Sequence, residues 1–388
     1  MYKGSVFAAM TLCIGIGIGI GCAEEKGSAL PSPDAVWSMA VPDATELQTA
    51  DWDGAAGDEL VVLFGDGTIE VYDTQSRLVD ALELPDHDTQ YASMAIGAGG
   101  SGPLLTIRQL DYIDTFDADG TLLLTVSNDS YGTEYTDTAW GDVDGDGVEE
   151  LYIAQENGLG GGILAYSATG ERLAGMGTGT GWMGEMDNRD MSAHGVSWLD
   201  VLPATADQPG VLLGVSLYEP FVVDSELSEL SWVLPEHPDI PGGVGASLPI
   251  RGPDGQPMWA LSVDGQLEFY DSEAPTTPVW STDAMDEDFR PYLSTRSSAW
   301  LSRGTWDGSP VIGYLVQDGV SVVDIHGTQL AHYALGGGAV WNRWEDYGPH
   351  SFLGMGFVQE GTDLLDDAAS QEQGLVVLRD GRLEYFER

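Results

Sequence analysis

Basic side chains are scarce in this sequence, which has 14 Lys and Arg residues against 63 Asp and Glu residues and a formal net charge of −49. Such a surface repels nucleic-acid phosphates and anionic lipid headgroups. The charge therefore argues against a nucleic-acid partner and requires any membrane attachment to be an anchor. Lysine is limited to Lys3 and Lys26. An acidic surface almost without lysine is typical of adaptation to high salt, whereas a GC-rich genome is an alternative explanation of the lysine shortage.

Cysteine is also scarce, and the chain contains only Cys13 and Cys22. Cys13 lies in an apolar run from Val6 to Ile20, which is shorter than the roughly 20 apolar residues of a transmembrane helix. A short apolar run that follows Lys3 is typical of a secretory signal peptide. We therefore predict that residues 1–21 are removed, which leaves one cysteine and no internal disulfide.

The segment Gly19-Ile20-Gly21-Cys22 resembles the lipobox of bacterial lipoproteins. The resemblance implies that Cys22 receives diacylglycerol and becomes the first residue of the mature chain. Ala23 at the next position implies sorting to the outer membrane, while an ordinary secretory signal is the alternative. Residues 22–34 are small, polar and proline-containing, so we predict a tether there, followed by a single domain over residues 35–388.

Helical and catalytic patterns are missing as well. No window of about 12 residues beyond the signal segment carries the apolar stripe of an amphipathic helix. The chain contains no Gly-x-Ser-x-Gly, His-Glu-x-x-His or Walker sequence. We therefore predict an all-β protein that is not an enzyme.

One pattern of turns and strands repeats about every 50 residues along the chain. Its clearest copies are Asp66–Asp73, Asp264–Asp271 and Asp380–Glu387. In the first copy, Ile69 and Val71 alternate with polar residues, as in a strand with one buried face. Seven such units fit a single seven-bladed β-propeller, while six or eight blades, or two β-sandwiches, are alternatives.

The two ends of the chain predict how the ring closes. The last unit stops at Arg388, directly after its third strand. The segment Ala35–Ser38 resembles the fourth strand Pro278–Ser281 of a middle unit, because both contain Val-Trp-Ser. We therefore predict that the N-terminal strand completes the last blade and removes its exposed edge.

An acidic loop between two predicted strands is the clearest candidate site. Asp142, Asp144 and Asp146 alternate there, and Glu150 closes the loop. Interspersed glycines permit the left-handed turns that fold carboxylates inward, and the carbonyl of Val148 is placed as a further ligand. Such hard oxygen ligands suit Ca²⁺, and the flanking strands exclude an EF-hand. An acidic turn without a metal is the alternative.

These residues resemble the calcium loop of FG-GAP or VCBS repeats, the blades of integrin-α-like propellers. In that family, a sequence Asp-x-Asp-x-Asp-Gly-x-x-Asp/Glu between two strands binds calcium. The resemblance is confined to this loop. It implies that Asp142, Asp144, Asp146, the Val148 carbonyl and Glu150 are the ligands.

Weaker copies of the loop occur in other units. Asp51, Asp53 and Glu59 keep the spacing of three carboxylates, but an alanine replaces the third aspartate, so they form a possible degenerate metal site. Asp307-Gly308 and Asp254-Gly255 keep only the turn, which a tight hairpin explains.

Three predicted connections between units are rich in aromatic residues and arginine. Such loops gather around one end of a propeller channel, where they are able to hold a sugar, a peptide or an anionic group. Packing between blades is the alternative role. The residues of this candidate funnel are Trp182, Arg189, Arg290, Tyr292, Arg296, Trp341, Arg343 and Trp344.

The sequence thus predicts a non-catalytic, lipid-anchored protein of a bacterial envelope whose calcium-stabilised propeller is a binding or scaffold module. A propeller enzyme acting on polysaccharide and an assembly factor for outer-membrane proteins are the alternatives. The expected partners are the membrane, through lipid on Cys22, and a glycan or protein ligand.

Overall fold

The structure is a computed structural model, and it describes most of the chain beyond residue 34. The described residues are 35–55, 57–84, 93–100, 102–109, 112–127, 133–157, 160–177, 196, 198–216, 219–224, 226–227, 230–232, 244–252, 254–263, 266–272, 277–282, 301–316, 319–335, 352–359, 373–379 and 381–388. Contacts divide the chain into Met1–Pro31 and Ser32–Arg388, and every described residue belongs to the second unit. This unit contains seven sheets of four antiparallel strands each.

Each sheet is one blade of a β-propeller, and we denote its strands A to D from the centre of the ring outward. Strand β1 is Trp37–Ala40, and blades 1 to 3 contain β2 (Ala44–Ala50), β3 (Glu59–Phe64), β4 (Thr68–Tyr72), β5 (Leu78–Glu83), β6 (Ser93–Gly99), β7 (Gly102–Arg108), β8 (Tyr112–Asp117), β9 (Leu122–Ser127), β10 (Thr133–Gly141), β11 (Glu150–Asn157), β12 (Gly160–Ser167) and β13 (Arg172–Gly177). Blades 4 to 7 contain β14 (Trp198–Leu202), β15 (Val211–Ser216), β16 (Glu219–Val223), β17 (Leu230–Trp232), β18 (Val244–Arg251), β19 (Pro257–Val263), β20 (Gln266–Asp271), β21 (Trp280–Ser281), β22 (Leu301–Trp306), β23 (Ser309–Val316), β24 (Gly319–Asp324), β25 (Gln329–Ala334), β26 (Phe352–Gln359), β27 (Gln373–Arg379) and β28 (Arg382–Glu387).

The A strands of consecutive blades contact one another, and β26 of blade 7 contacts β2 of blade 1, so the ring is closed. This confirms the prediction of a seven-bladed, all-β propeller. Because neighbouring strands are antiparallel, the A–B and C–D connections lie at one end of the ring, which we call the AB face. The B–C and D–A connections lie at the other end, the BC face. No helix long and apolar enough to cross a membrane occurs among the described residues.

The hydrophobic core lies between the blades. In blade 1, strand B has the apolar run Leu60–Leu63, and each of its side chains is fully buried because blades cover both faces of the sheet. Strand C alternates, with Ile69 and Val71 buried between half-buried polar residues. Close packing also uses glycine: a Cβ atom on Gly97 of blade 2 would overlap the indole ring of Trp140 in blade 3.

The aspartate that ends strand C in several blades has a local structural role at the AB face. The Asp73 carboxylate accepts hydrogen bonds from the Gln75 amide at 3.0 Å and the Arg77 amide at 2.8 Å, and so holds the turn between strands C and D. Asp117 and Asp324 make the equivalent pair of bonds in blades 2 and 6. An Asx-type turn therefore explains why the repeat is visible in the sequence.

The N-terminal strand completes blade 7, where β1 pairs antiparallel with β28. The indole of Trp37 stacks on Tyr385 and donates a hydrogen bond of 2.8 Å to the Thr74 carbonyl in the C–D turn of blade 1. Trp280 in blade 5 donates an equivalent bond of 2.8 Å to the Ile325 carbonyl in the C–D turn of blade 6. The Val-Trp-Ser likeness thus reflects the same D-strand contact with the next blade.

Candidate metal centre

The acidic loop connects strands A and B of blade 3 at the AB face. One carboxylate oxygen from each of Asp142, Asp144 and Asp146 lies within 4.8 Å of the others. Glu150, the first residue of β11, is only 6% exposed. The structure therefore brings three of the predicted ligands together and places the fourth carboxylate, buried, at the end of the same loop.

Backbone amides fix the shape of this loop. The Asp142 carboxylate accepts hydrogen bonds from the Gly145 amide at 2.6 Å and the Gly147 amide at 2.9 Å. The Asp146 carboxylate accepts one from the Val148 amide at 2.8 Å. Gly145 and Gly147 have φ angles of 80° and 86°, a left-handed conformation that glycine adopts without strain. The loop is thus preformed around its carboxylates.

The electrostatics of the loop favour a cation. Burial, followed by the neighbouring Asp144 charge, raises the pKa of Glu150 to about 7, although a hydrogen bond from the Val143 amide opposes the shift. The Tyr152 hydroxyl also donates to Glu150 over 3.4 Å. A buried carboxylate beside three others is destabilised when it ionises, and a bound cation would remove that cost. The donor set, made of hard oxygens on a tight loop, therefore fits Ca²⁺.

Neighbouring blades hold the loop on both sides. The Ala204 amide in the A–B connection of blade 4 donates a hydrogen bond of 2.6 Å to the Asp142 carbonyl, and the Gly210 amide donates one of 3.1 Å to the Val143 carbonyl. On the other side, the Ala98 amide of blade 2 donates a hydrogen bond of 2.6 Å to the Glu149 carboxylate. The loop therefore joins blades 2, 3 and 4.

The possible degenerate site in blade 1 occupies the equivalent connection. Carboxylate oxygens of Asp51, Asp53 and Glu59 lie within 4.8 Å of one another. Glu59 is buried and accepts a hydrogen bond of 2.8 Å from the Trp52 amide. Burial, partly opposed by this bond, raises the pKa of Glu59. This loop keeps three carboxylates in one cluster, with one fewer aspartate than blade 3 offers.

Blade 6 has a side-chain cation at the equivalent turn. Asp307 forms an ion pair with the guanidinium of Arg388, which also lies 5.7 Å from the centre of the Trp306 ring. Asp307 has a left-handed φ angle of 51°, as expected at a tight turn. The single aspartate that remains in this copy is thus paired with the C-terminal arginine.

The other sequence-predicted residues lie outside the described part of the chain. They are Cys22 and the candidate funnel residues Trp182, Arg189, Arg290, Tyr292, Arg296, Trp341, Arg343 and Trp344. The funnel segments belong to D–A connections, and the described strands on either side of them end at the BC face. The acidic loop lies at the other end of the ring from these strand ends.

Sequence reasoning missed two carboxylates that link A strands. Glu46 in blade 1 accepts a hydrogen bond of 2.7 Å from the Met94 amide of blade 2. Asp137 in blade 3 accepts one of 3.0 Å from the Leu199 amide of blade 4. Each carboxylate directly follows a β-bulge in its strand. The sequence does contain one signal for these two residues: Glu46 lies five positions before Asp51, and Asp137 lies five positions before Asp142.

A charged pair also links A strands across blade 5. Arg303 of β22 lies 3.5 Å from the Asp200 carboxylate of β14 and donates a hydrogen bond of 3.2 Å to the Pro249 carbonyl of β18. Burial raises the pKa of Asp200, and the Arg303 charge opposes that shift. The pair was not visible in the sequence because its members are about a hundred residues apart.

Solved structures share the fold at low sequence identity. The chain is similar to BBS1N in a complex with ARL6DN, with a TM-score of 0.60, 13% identity, and coverage of 92% of this chain and 98% of that chain. It is similar to Sqt1 of Saccharomyces cerevisiae, with a TM-score of 0.57, 11% identity, and coverage of 92% and 100%. For virginiamycin B lyase of Staphylococcus aureus, the TM-score is 0.55, the identity 7%, and the coverage 90% and 98%.

These likenesses establish the fold: the protein is a seven-bladed β-propeller. No protein-family model matches the chain, and no curated protein matches it.

Proposed function

We propose that this propeller is a non-catalytic binding or scaffold module of a bacterial cell envelope, lipid-anchored through Cys22 and stabilised by Ca²⁺. The observation that carries the proposal is the carboxylate cluster of Asp142, Asp144 and Asp146, which lies in one A–B connection of a closed ring. A metal ion at this site would stabilise the connections between strands at the AB face. The BC face would remain available to bind a ligand.

The side chains of Asp142, Asp144, Asp146 and Glu150, with the carbonyl of Val148, would hold the ion. Calcium would neutralise carboxylates that now repel one another and would lower the cost of ionising the buried Glu150. Its role in this proposal is structural, because the loop contributes to the contacts between blades.

The contacts between blades give the reason why calcium would stabilise more than its own loop. The Asp142 and Val143 carbonyls bond to blade 4, and Glu149 bonds to the Ala98 amide of blade 2. Ordering the loop therefore orders both interfaces of blade 3. The cluster of Asp51, Asp53 and Glu59 would be a second and weaker site, because it offers fewer ligands.

Lipid attachment is proposed on the motif that ends at Cys22. Cys22 is the single cysteine that remains after the predicted cleavage, and the residues that precede it are small. Two or three acyl chains on this residue would hold an acidic protein on a bilayer that its charge does not attract. The outer membrane is the proposed location.

The proposed ligand site is the candidate funnel, whose segments connect strands that end at the BC face. BBS1N is in a complex with a protein partner, and virginiamycin B lyase is an enzyme, so propellers of this size serve both purposes. Aromatic rings with arginine suit a glycan or an acidic peptide. Four of the chain's 12 arginines are funnel residues, in a chain of net charge −49, and this concentration of arginine favours binding by these segments.

Glycan and peptide arrays probed with the acylated full-length protein in detergent would test the function. We expect capture of one ligand class with no change in that ligand. Arg343→Ala combined with Trp344→Ala should abolish capture, whereas Arg77→Ala, an exposed arginine of the AB face, should leave it unchanged. Cleavage of an arrayed polysaccharide would replace this proposal with the enzyme alternative.

A further inference from the structure

Exposed apolar side chains recur at one end of the described part of the ring, the AB face. Among the described residues, every large hydrophobic side chain that is more than 40% exposed lies at the AB face. Eight of the nine lie at or next to the start of D strands, and Val148 lies in the acidic loop. They are Val36, Leu78, Val79, Leu122, Leu123, Val148, Leu173, Val279 and Leu330. We call this set the apolar rim.

The rim recurs from blade to blade. Leu78, Leu122, Leu173 and Leu330 belong to blades 1, 2, 3 and 6, and each follows its C–D turn at the same end of the strand. Their exposed fractions range from 41% to 55%. Single exposed leucines are ordinary on a protein surface. A set repeated around the AB face, in a chain of net charge −49, indicates a surface that is able to bind a partner with an apolar component.

The chain enters the propeller at this same end. The Val36 amide donates a hydrogen bond of 2.8 Å to the Tyr385 carbonyl, and the Trp37 indole is bonded to the Thr74 carbonyl in a C–D turn of the AB face. The described chain therefore begins at the end of the ring that carries the apolar rim, and residues 22–34 precede it in the sequence. Even fully extended, they span at most about 45 Å. A lipid on Cys22 would thus attach the propeller to the bilayer from the AB end of the ring.

The negative charge of the AB face determines which lipid headgroups this face is able to approach. The aspartates that cap the C–D turns, among them Asp73 and Asp117, lie beside the rim and would be repelled by anionic headgroups. A bilayer of zwitterionic lipid carries no such repulsion. Calcium in the acidic loop would also remove charge next to Val148, whose side chain is 49% exposed.

We propose that the propeller binds the membrane through its AB face, so that the apolar rim lies in the zwitterionic headgroup region. The inference rests on the proposed lipid at Cys22. The BC face is then turned away from the bilayer, toward a soluble or neighbouring ligand. The tether would maintain this orientation because it holds the rim at a high effective concentration near the lipid.

Single cysteines offer a test, because acylation blocks Cys22 and the predicted mature chain contains no other thiol. Leu78→Cys and Glu83→Cys place a nitroxide label at opposite ends of β5, at two exposed positions. Leu330→Cys and Ala334→Cys repeat the comparison on β25. Each acylated full-length variant is reconstituted into phosphatidylcholine–phosphatidylethanolamine vesicles with saturating calcium. Collision rates are then measured with a water-soluble nickel chelate and with oxygen.

We expect the labels at positions 78 and 330 to lose collisions with the chelate and gain collisions with oxygen, relative to positions 83 and 334. Equal accessibility at both ends of β5 and β25, or greater protection at positions 83 and 334, would overturn the orientation. The labelling stoichiometry separates the two proposals. One nitroxide per chain is required by a lipid on Cys22, and more than one would show a free thiol there and refute the anchor together with the orientation.

Discussion

Calcium should raise the melting temperature of this propeller, and two aspartates should account for the effect. An ion that binds only the folded state adds about 2.7 kcal/mol at one hundred times its dissociation constant. Each kcal/mol moves the melting temperature of a domain of about 150–250 residues by about 2–4 °C, and a larger domain moves less, so the expected rise lies at the low end, about 5 °C. The contacts of the loop with Ala98, Ala204 and Gly210 mean that the rise should appear in the main transition, as a property of the whole ring.

Differential scanning calorimetry in saturating calcium and in EGTA measures this directly. The double variant Asp144→Asn and Asp146→Asn should melt at the same temperature in both conditions. Asp324→Asn is the matched control, because it removes a carboxylate from a C–D turn where asparagine is also able to cap. This control should retain the full calcium response. If the wild-type protein melts identically in calcium and in EGTA, the calcium reasoning is wrong.

Four further outcomes are expected. In EGTA, the free energy of unfolding should fall as pH rises from about 4.5 to 7. The reason is that the raised pKa of Glu150 lets the folded state keep a proton that the unfolded chain has released. In urea titrations, Glu150→Gln should flatten this dependence on pH. Trp37→Phe should cost about 1 kcal/mol in the same assay, since it leaves the Thr74 carbonyl without its indole donor, and Trp280→Phe should cost a similar amount. With calcium saturating, the melting temperature should rise between about 0.01 and 1 M NaCl, and a flat curve would contradict the idea that self-repulsion limits stability. Cys22→Ser should move the protein from the membrane fraction to the soluble fraction or block its processing, and an unchanged distribution of the cleaved protein would remove support for the anchor.

The fold was predictable because local rules repeat along the chain. Alternation such as that of Ile69 and Val71 predicts strands, and the capping aspartates, which need no distant partner, make the period visible. Ring closure was predictable because Trp37 and Trp280 share a sequence motif and a contact with the next blade.

The contacts between blades were harder to foresee. Glu46, Asp137 and Glu149 each accept a hydrogen bond from an amide 48 to 62 positions away, so their partners depend on the packing of the ring. Glu46 and Asp137 share a position five residues before their loops, but in a chain with 63 acidic residues that spacing does not identify the amides they bind. The calcium loop was identifiable because its carboxylates are close in sequence as well as in space.

The pairing of β1 with β28 makes the two ends of the chain mutually dependent during biosynthesis. Arg382 donates a hydrogen bond of 2.8 Å to Ser38, a contact between residues separated by 344 positions. The entropic cost of closing so long a loop is modest, because that cost grows only slowly with loop length. However, β1 is able to pair only after β28 has been synthesised. Until then, β1 lacks its partner strand, and the inter-blade faces of blades 1 and 7 remain uncovered. A chain that lacks β28 would therefore expose strand edges that are able to pair with other protein molecules. Pairing of β1 with β28 covers these edges in one step.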